Sequence, residues 1–541
     1  MSLRKLTAGA ALMGLALATL PRAPLAAMRA GAESRPLRLG LVQQPNSLDP
    51  QRAVQFYENY LAEGIFSALT VIDDHGNVAP DLAETVPTRR NGGISADGKS
   101  ITYHLRAGVR WQDGAPLTSH DVAFTFARMH DPKVAFPEAS VFSIVERLDT
   151  PDPRTVILRL RTPWADATSE LFVGGQDGSI VPAHLLEGAS DAVAARFGAQ
   201  PVGSGPYSVE RWERGNRIVL RANSAYFRGK PGIDRIDVEF VPDQNTLALR
   251  VRTGELDFSP QLPQAAAAAL HDSASLRVRT VSTYADLELV FQTRRAPVDD
   301  ARTRRALLLA IDRARLTQAV YHGFAQPADD LVPPQSPYHV TDPHFQPHGD
   351  PAAARRLLDA AGWKAGPSGV RTKGGTPLAF ALTVPAGYPA SIGSAIQIQA
   401  MWKAVGADVA LRPMLSNVLL APAGSLASGD FDVYIGPTGY ATSPDRSDMV
   451  TTSGLPPSGR NYSRYSNGDV DRWTAEARAA SDERVRRSLY AKISERIRAD
   501  CPRVPLLWQQ QIYVYNTALT GLRPETVNSD LWNVYEWRLD G

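Results

Sequence analysis

The chain has 541 residues, 43% of them hydrophobic and 21% charged, with one cysteine and a formal charge of +2. This composition excludes a collagenous, coiled-coil or wholly disordered chain. One cysteine excludes an intrachain disulfide framework or a cysteine-based zinc cluster, and near-neutrality gives no general attraction for nucleic acid.

Arg4 and Lys5 precede an apolar run from Leu6 to Leu20, and small residues follow, with Ala30-Gly31-Ala32 as an A-x-A site. That layout predicts a secretory signal peptide over residues 1–32. The run falls short of the roughly 20 residues that a membrane helix requires. No cysteine stands near the cleavage region for lipidation, and Arg4-Lys5 is not a twin-arginine pair. Residues 1–32 hold Arg4, Lys5, Arg22 and Arg29 and no acid, so the remainder has 54 basic and 56 acidic residues and a net charge of −2. The slight basicity belongs to the export signal.

Beyond it the hydrophobic period changes repeatedly, which predicts mixed α/β structure. Leu37, Leu39 and Leu41 alternate as a strand ending at Pro45-Asn46-Ser47. Ile101, Tyr103 and Leu105 alternate likewise, as do Val156, Leu158 and Leu160, and later Val238 and Phe240. Ala306, Leu307, Ala310, Ile311 and Leu316 share one helical face, with Asp299 or Asp300 as N-cap and Gly323 as stop. A second helix runs from Asp350 as N-cap, through Pro351, to Gly362, and a third covers about Asp482 to Arg498.

Gly93 to Ser100 satisfies the phosphate-loop pattern GxxxxGK[ST]. That chemistry needs a strand before the loop and a helix after it. Here the preceding residues are polar and the following ones alternate, so Asp97-Gly98 reads as a hairpin turn. His339, His344 and His348 lie close together, but Pro343 and Pro347 prevent the regular helix that would align the last two, so they read as loop histidines. There is no HExxH and no GxSxG. Neither a catalytic residue, a metal site nor a cofactor is expected.

Eight strings in order resemble the family 5 extracellular solute-binding proteins of ABC importers, the dipeptide-, oligopeptide- and nickel-binding group. They start with Leu48-Asp49-Pro50, Pro80-Asp81-Leu82-Ala83-Glu84 and Leu105 to Gly114, which includes Trp111-Gln112-Asp113-Gly114 and continues into Leu117 to Val122. They go on through Pro201 to Tyr207, Tyr226 to Pro231, Gly254-Glu255-Leu256-Asp257, Arg304-Arg305-Ala306-Leu307 with Ile311-Asp312-Arg313, and Ala360-Ala361-Gly362-Trp363. The resemblance implies a two-lobed periplasmic-binding-protein-like α/β fold with an enlarged, discontinuous first lobe. Lobe I would comprise residues 33–282 and 506–541 and lobe II residues 283–505, with crossings near 287–293 and 505–511. It further implies a periplasmic monomer that captures a peptide or other small polar solute and delivers it to an inner-membrane ABC permease, without enzymatic activity. An exported hydrolase and a non-transport or chemosensory binding protein are the alternatives.

The peptide-binding members carry a segment resembling G-W-x-A-D-Y-x-D-P, whose Asp pairs with the peptide ammonium. Here the matching stretch runs from Gly436 to Pro444, with Pro437 at the Trp position and Tyr440 at the Asp position. A phenol does not replace the charge-assisted bond that a buried ammonium requires. A modified peptide, an opine-like conjugate, a glycoside or another polar solute is therefore as well accommodated as a free peptide. The family-matched loop positions give Gln44, Asn46, Tyr388, Thr438, Tyr440 and Asn461 as candidate ligand-binding residues. Gly203 and Gly205 read at least equally as loop framework, Trp111 reads as core, and Cys501 as buried rather than reactive.

Overall fold

The computed structural model describes residues 35–540 except 54, 55, 135, 175–177, 422, 440, 441 and 525–529. The signal peptide expected over residues 1–32 lies outside them. In chain order, β1 (Leu37–Leu41) is followed by α1 (Phe56–Ile65), β2 (Ser100–His104), α2 (Ser119–Met129), β3 (Val145–Asp152), β4 (Thr155–Leu160) and the single turn α3 (Ala167–Glu170). Then come β5 (Tyr207–Glu213), β6 (Arg217–Ala222), β7 (Arg235–Phe240), α4 (Gln244–Arg252), β8 (Phe258–Ser259) and the long β9 (Leu276–Phe291). The rest holds α5 (Ala301–Leu309), α6 (Arg313–Ala319), α7 (Pro351–Ala360), β10 (Ala379–Ala386), α8 (Pro389–Ala404), β11 (Asp408–Leu415), β12 (Val433–Gly439), α9 (Gly468–Ala479), α10 (Glu483–Asp500) and β13 (Arg503–Asn516).

One mixed sheet runs β11-β10-β12-β9-β13-β8-β1-β7-β6-β5, and β2, β4 and β3 form a separate antiparallel sheet. The antiparallel pair β9 and β13 is the spine. Its first part lies beside β8, and its second beside β12. Ser282 pairs with Gln510 and Asp286 with Trp508, so three residues of β9 oppose Gln509 alone. This is a bulge, which bends and twists the strand. Two apolar cores flank it. Leu287, Leu289, Phe291, Leu506 and Leu507 belong to one, while Tyr513 and Tyr515 join Leu37, Leu39 and Leu41 in the other.

The motif strings hold this frame together. Asp49 receives two bonds from the buried Arg128 guanidinium, at 3.1 and 2.5 Å. Asp81 accepts from Ala68 N–H and pairs with Arg228 at 2.9 Å, so two separate strings meet in one contact. Gln112 Nε2 donates to the Tyr207 carbonyl at 2.8 Å, while its Oε1 accepts from Gly203 N–H at 3.0 Å. A Cβ on Gly203 would stand 1.9 Å from the Ile65 carbonyl oxygen, so close approach of backbone explains the glycine. Trp111 is a buried core residue. Asp257 binds the Arg38 guanidinium and N–H, and Trp363 donates to Thr303 at 3.0 Å.

The helix expected to run on through Leu316 is two helices. Asp350 N–H donates to the Leu309 carbonyl at 2.7 Å, and Asp312 opens α6 by accepting from Arg315 N–H. A Cβ on Gly349 would come within 3 Å of the Leu309 and Ile311 carbonyls, so the entering chain takes the place of a continuous helix. Asp350 caps α7 as its sequence predicts, and Asp482 caps α10. Arg304 donates to the carbonyls of Asp500 and Cys501, closing the end of α10. Cys501 is buried there, and burial pushes its thiol up to about 11. The phosphate-loop string is a turn leading into strand β2, with Ile94 bridged to Ile101 and Asp97 accepting from Ser95 and Lys99.

Candidate ligand-binding cleft

Strand direction fixes where a cleft lies. β1 is parallel to β7 and β8, and these run the same way as β9. β10, β11 and β12 are mutually parallel and run opposite to β9. The carboxyl ends of both sets therefore converge on the bulge from opposite sides. In open α/β sheets, ligands bind outside the carboxyl ends of strands. At the bulge the spine is incompletely covered: 281–283, 285 and 509–511 are half-exposed, whereas 286–291 and 512–514 are buried.

The uncovered floor carries uncharged polar side chains. Thr283 Oγ1 donates to the Gln509 carbonyl at 2.9 Å, and Gln509 Nε2 donates to the Asp286 carbonyl at 2.9 Å. Gln511 donates to the Pro260 carbonyl at the end of β8. Gln335 reaches the Ser282 and Thr283 carbonyls, and Tyr57 donates to Gln261 at 2.8 Å.

Four of the six residues proposed from sequence, Gln44, Asn46, Tyr388 and Thr438, lie at or just beyond these strand ends. Gln44 follows β1, and its Oε1 accepts from Gly215 N–H at 2.9 Å in the β5–β6 turn. Asn46 is exposed, with its N–H on Glu58 and its carbonyl on Arg214. Tyr388 follows β10 and is 46% exposed. Thr438 closes β12 and donates to Glu288 Oε1 at 2.5 Å. Glu288 is itself locked by Arg503 at 2.6 and 2.8 Å, with both members of the pair buried. Tyr440 extends β12 in sequence but lies outside the described residues.

Asn461 is a correction. It is fully buried; Nδ2 donates to the Thr451 and Tyr465 carbonyls at 2.8 and 2.9 Å, and Oδ1 accepts from Ser463. Its side chain ties a loop together, and the Gly-rich turn beside it drew attention to a framework position. Asp445, just past the altered segment, is likewise occupied. Its carboxylate accepts from Ser447 N–H at 2.8 Å and pairs with Arg478 at 3.2 Å. Burial raises the Asp445 carboxyl in spite of Arg478.

Sequence reading missed the floor and an apolar lip. The run Gln509-Gln510-Gln511 interrupts an otherwise apolar strand and was a legible signal. Leu415, Val418 and Leu420 are 63%, 49% and 52% exposed around the end of β11. Leu415 is in register with Ala386 at the end of β10, two residues before Tyr388. No periodicity marks these residues, because only the strand ends bring them together.

Among the described residues, no group of three or more His, Cys, Asp or Glu side chains is placed to hold a metal ion, and no helix is long and apolar enough to cross a membrane. His339 lies 3.5 Å from Asp329, whereas His348 lies 3.6 Å from Asp312.

Residues 77–459 match the bacterial extracellular solute-binding proteins, family 5. The chain belongs to that family. Protein XP55 of Streptomyces lividans is 28% identical over 494 residues, covering 90% of this chain and 85% of its own. The glutathione-binding protein GsiB of Shigella dysenteriae is 25% identical over 491 residues, covering 89% and 90%. The crystal structure of NikA from Brucella suis in complex with Fe(III)-EDTA superposes with a TM-score of 0.81 at 22% identity, covering 94% of this chain and 100% of that one. This likeness shows a two-lobed α/β fold, and the family match identifies the chain as a solute-binding protein of the kind that serves ABC importers.

Proposed function

We propose that this protein is an exported, periplasmic, monomeric receptor that closes two lobes over a small polar solute and hands it to an ABC permease without chemical change. The observation that carries the reading is the convergence of two opposed sets of strand ends on the bulge in β9. We place the hinge at residues 282–286 and 508–511, with residues 33–281 and 512–541 forming lobe I and 287–507 forming lobe II; the return expected at 506 moves later because Leu506 and Leu507 share the core of Leu287 and Leu289. The crossing on β9 then lies slightly before 287–293, since Leu287 to Phe291 are buried in one lobe's core. A solute touching both lips stabilises the closed form by its differential affinity for it.

Gln44, Asn46, Tyr388, Thr438 and Tyr440 are the proposed contact residues, with the floor amides beside them. Tyr stands where peptide-binding relatives place an acid, and Asp445 is engaged by Arg478. Recognition of a free α-ammonium by that position is therefore not part of the proposal. The glutathione specificity in GsiB's name is compatible with a peptide conjugate as the class to try first. Mass spectrometry of material released by denaturing the purified protein, followed by a thermal-shift panel of peptides, conjugates and glycosides, tests the reading. A native-state ligand must raise the melting temperature. No released solute together with no shift across the panel sinks it. For the Tyr440 contact, Tyr440→Ala is expected to weaken binding of the released solute; unchanged affinity and stability exclude it.

A further inference from the structure

Well away from the bulge in sequence, a second contact joins the two lobes. Arg486 on α10 places Nη2 2.6 Å from each carboxylate oxygen of Asp166, which immediately precedes α3. Ser443 Oγ donates to Asp166 Oδ2 at 2.9 Å. Beside them, Ala165 N–H donates to the Arg478 carbonyl at 3.1 Å, and the Arg478 guanidinium lies 5.8 Å from the Trp164 ring centroid. Both members of the Asp166–Arg486 pair are buried, 320 residues apart.

Arg486 is held in place from its own side. Its Nη1 donates to Tyr338 at 2.7 Å, and its guanidinium sits 4.9 Å from the centre of that ring. Ser443 belongs to the same segment as Thr438 and Tyr440, three residues beyond the latter. One stretch of lobe II thus runs from the cleft lip to the contact with lobe I.

We propose that Asp166, Arg486 and Ser443 form a closure latch that sets solute affinity by stabilising the closed form, without touching the solute. The inference rests on the two-lobe receptor reading. Opening would return both charged groups to water, whereas closing desolvates them together and adds directional hydrogen bonds. Such a pair stabilises only when its geometry satisfies both ions, and removing one partner strands a buried charge. These are positioning residues: apparent affinity scales with the fraction of molecules in the binding-competent state.

The test uses the full exported chain without added solute. Small-angle scattering and amide exchange are compared for wild type, Asp166→Asn, Arg486→Gln and the exchange Asp166→Arg with Arg486→Asp, with circular dichroism reporting fold. The single variants are expected to keep their fold, expand in radius of gyration and exchange about tenfold faster at residues 164–170 and 443–446, with partial recovery in the exchanged pair. If scattering and exchange do not change in either folded single variant, or the wild type scatters as an open form throughout, the latch is overturned. A folded exchanged pair with no recovery also overturns it. Opening of the variants with no solute in any assay would leave the latch standing and refute the receptor instead.

Discussion

The two lips of the cleft are built in opposite ways. On the β1 side, Gln44 is bonded to the β5–β6 turn and the backbone of Asn46 is held at both its N–H and its carbonyl. On the β10–β11 side, Tyr388, Leu415, Val418 and Leu420 stand exposed and account for four of the eight exposed large hydrophobic side chains in the described chain. The first lip is pre-formed and polar; the second offers apolar surface for burial. Concentrated apolar exposure marks interaction sites in soluble proteins. On the proposed reading, the polar lip would orient a solute and the apolar lip would supply hydrophobic contact.

The largest expected effect breaks the frame behind the second lip. Glu288→Ala leaves Arg503 buried and uncompensated and removes the acceptor of Thr438, so thermal or urea unfolding should show a loss of about 3–5 kcal/mol. A loss below about 1 kcal/mol would mean that this pair does not anchor the lip. Gly203→Ala comes next, at about 1–3 kcal/mol by overpacking against Ile65, with affinity preserved in the folded fraction.

The comparison itself is sharpened by Leu420→Ser combined with Tyr388→Ala. Calorimetry with the co-purified solute should show about tenfold weaker binding with an unchanged melting temperature, since both side chains are already exposed. Equal loss from Gln44→Ala, for which we expect less than about 1 kcal/mol, would erase the distinction between the lips.

A further prediction is a pH dependence at the latch. Glu170 is pushed up to about 8 by burial and then by Asp166 and Asp445, against Arg446 and the Ser443 N–H. Arg478 and Arg486 lie in the same inter-lobe contact through Asp445 and Asp166. The fold therefore holds this proton more tightly than the unfolded chain, whose ordinary value is 4.5. The associated stability is full below that value, declines as pH rises towards about 8 and is lost above it. Between about pH 5 and about pH 9 the melting temperature of wild type should fall more than that of Glu170→Gln. Parallel curves would remove Glu170 from the account.

The sequence by itself determined the α/β class, several element ends and the family, because caps, turns and hydrophobic periods are local. Asp350 and Asp300 cap helices as their local sequence implies. The family strings proved legible for a related reason: Asp49, Asp81, Gln112 and Asp257 are frame contacts. Gln44, Asn46, Tyr388 and Thr438 could be placed near strand ends, but Asn461 could not be distinguished from a rim residue until its three internal hydrogen bonds were seen. Only the tertiary structure decided that α5 and α6 separate, that Asp445 is engaged, and that Asp166 meets Arg486. Each of those outcomes depends on a partner distant in sequence, and burial, charge pairing and steric exclusion act through space rather than along the chain.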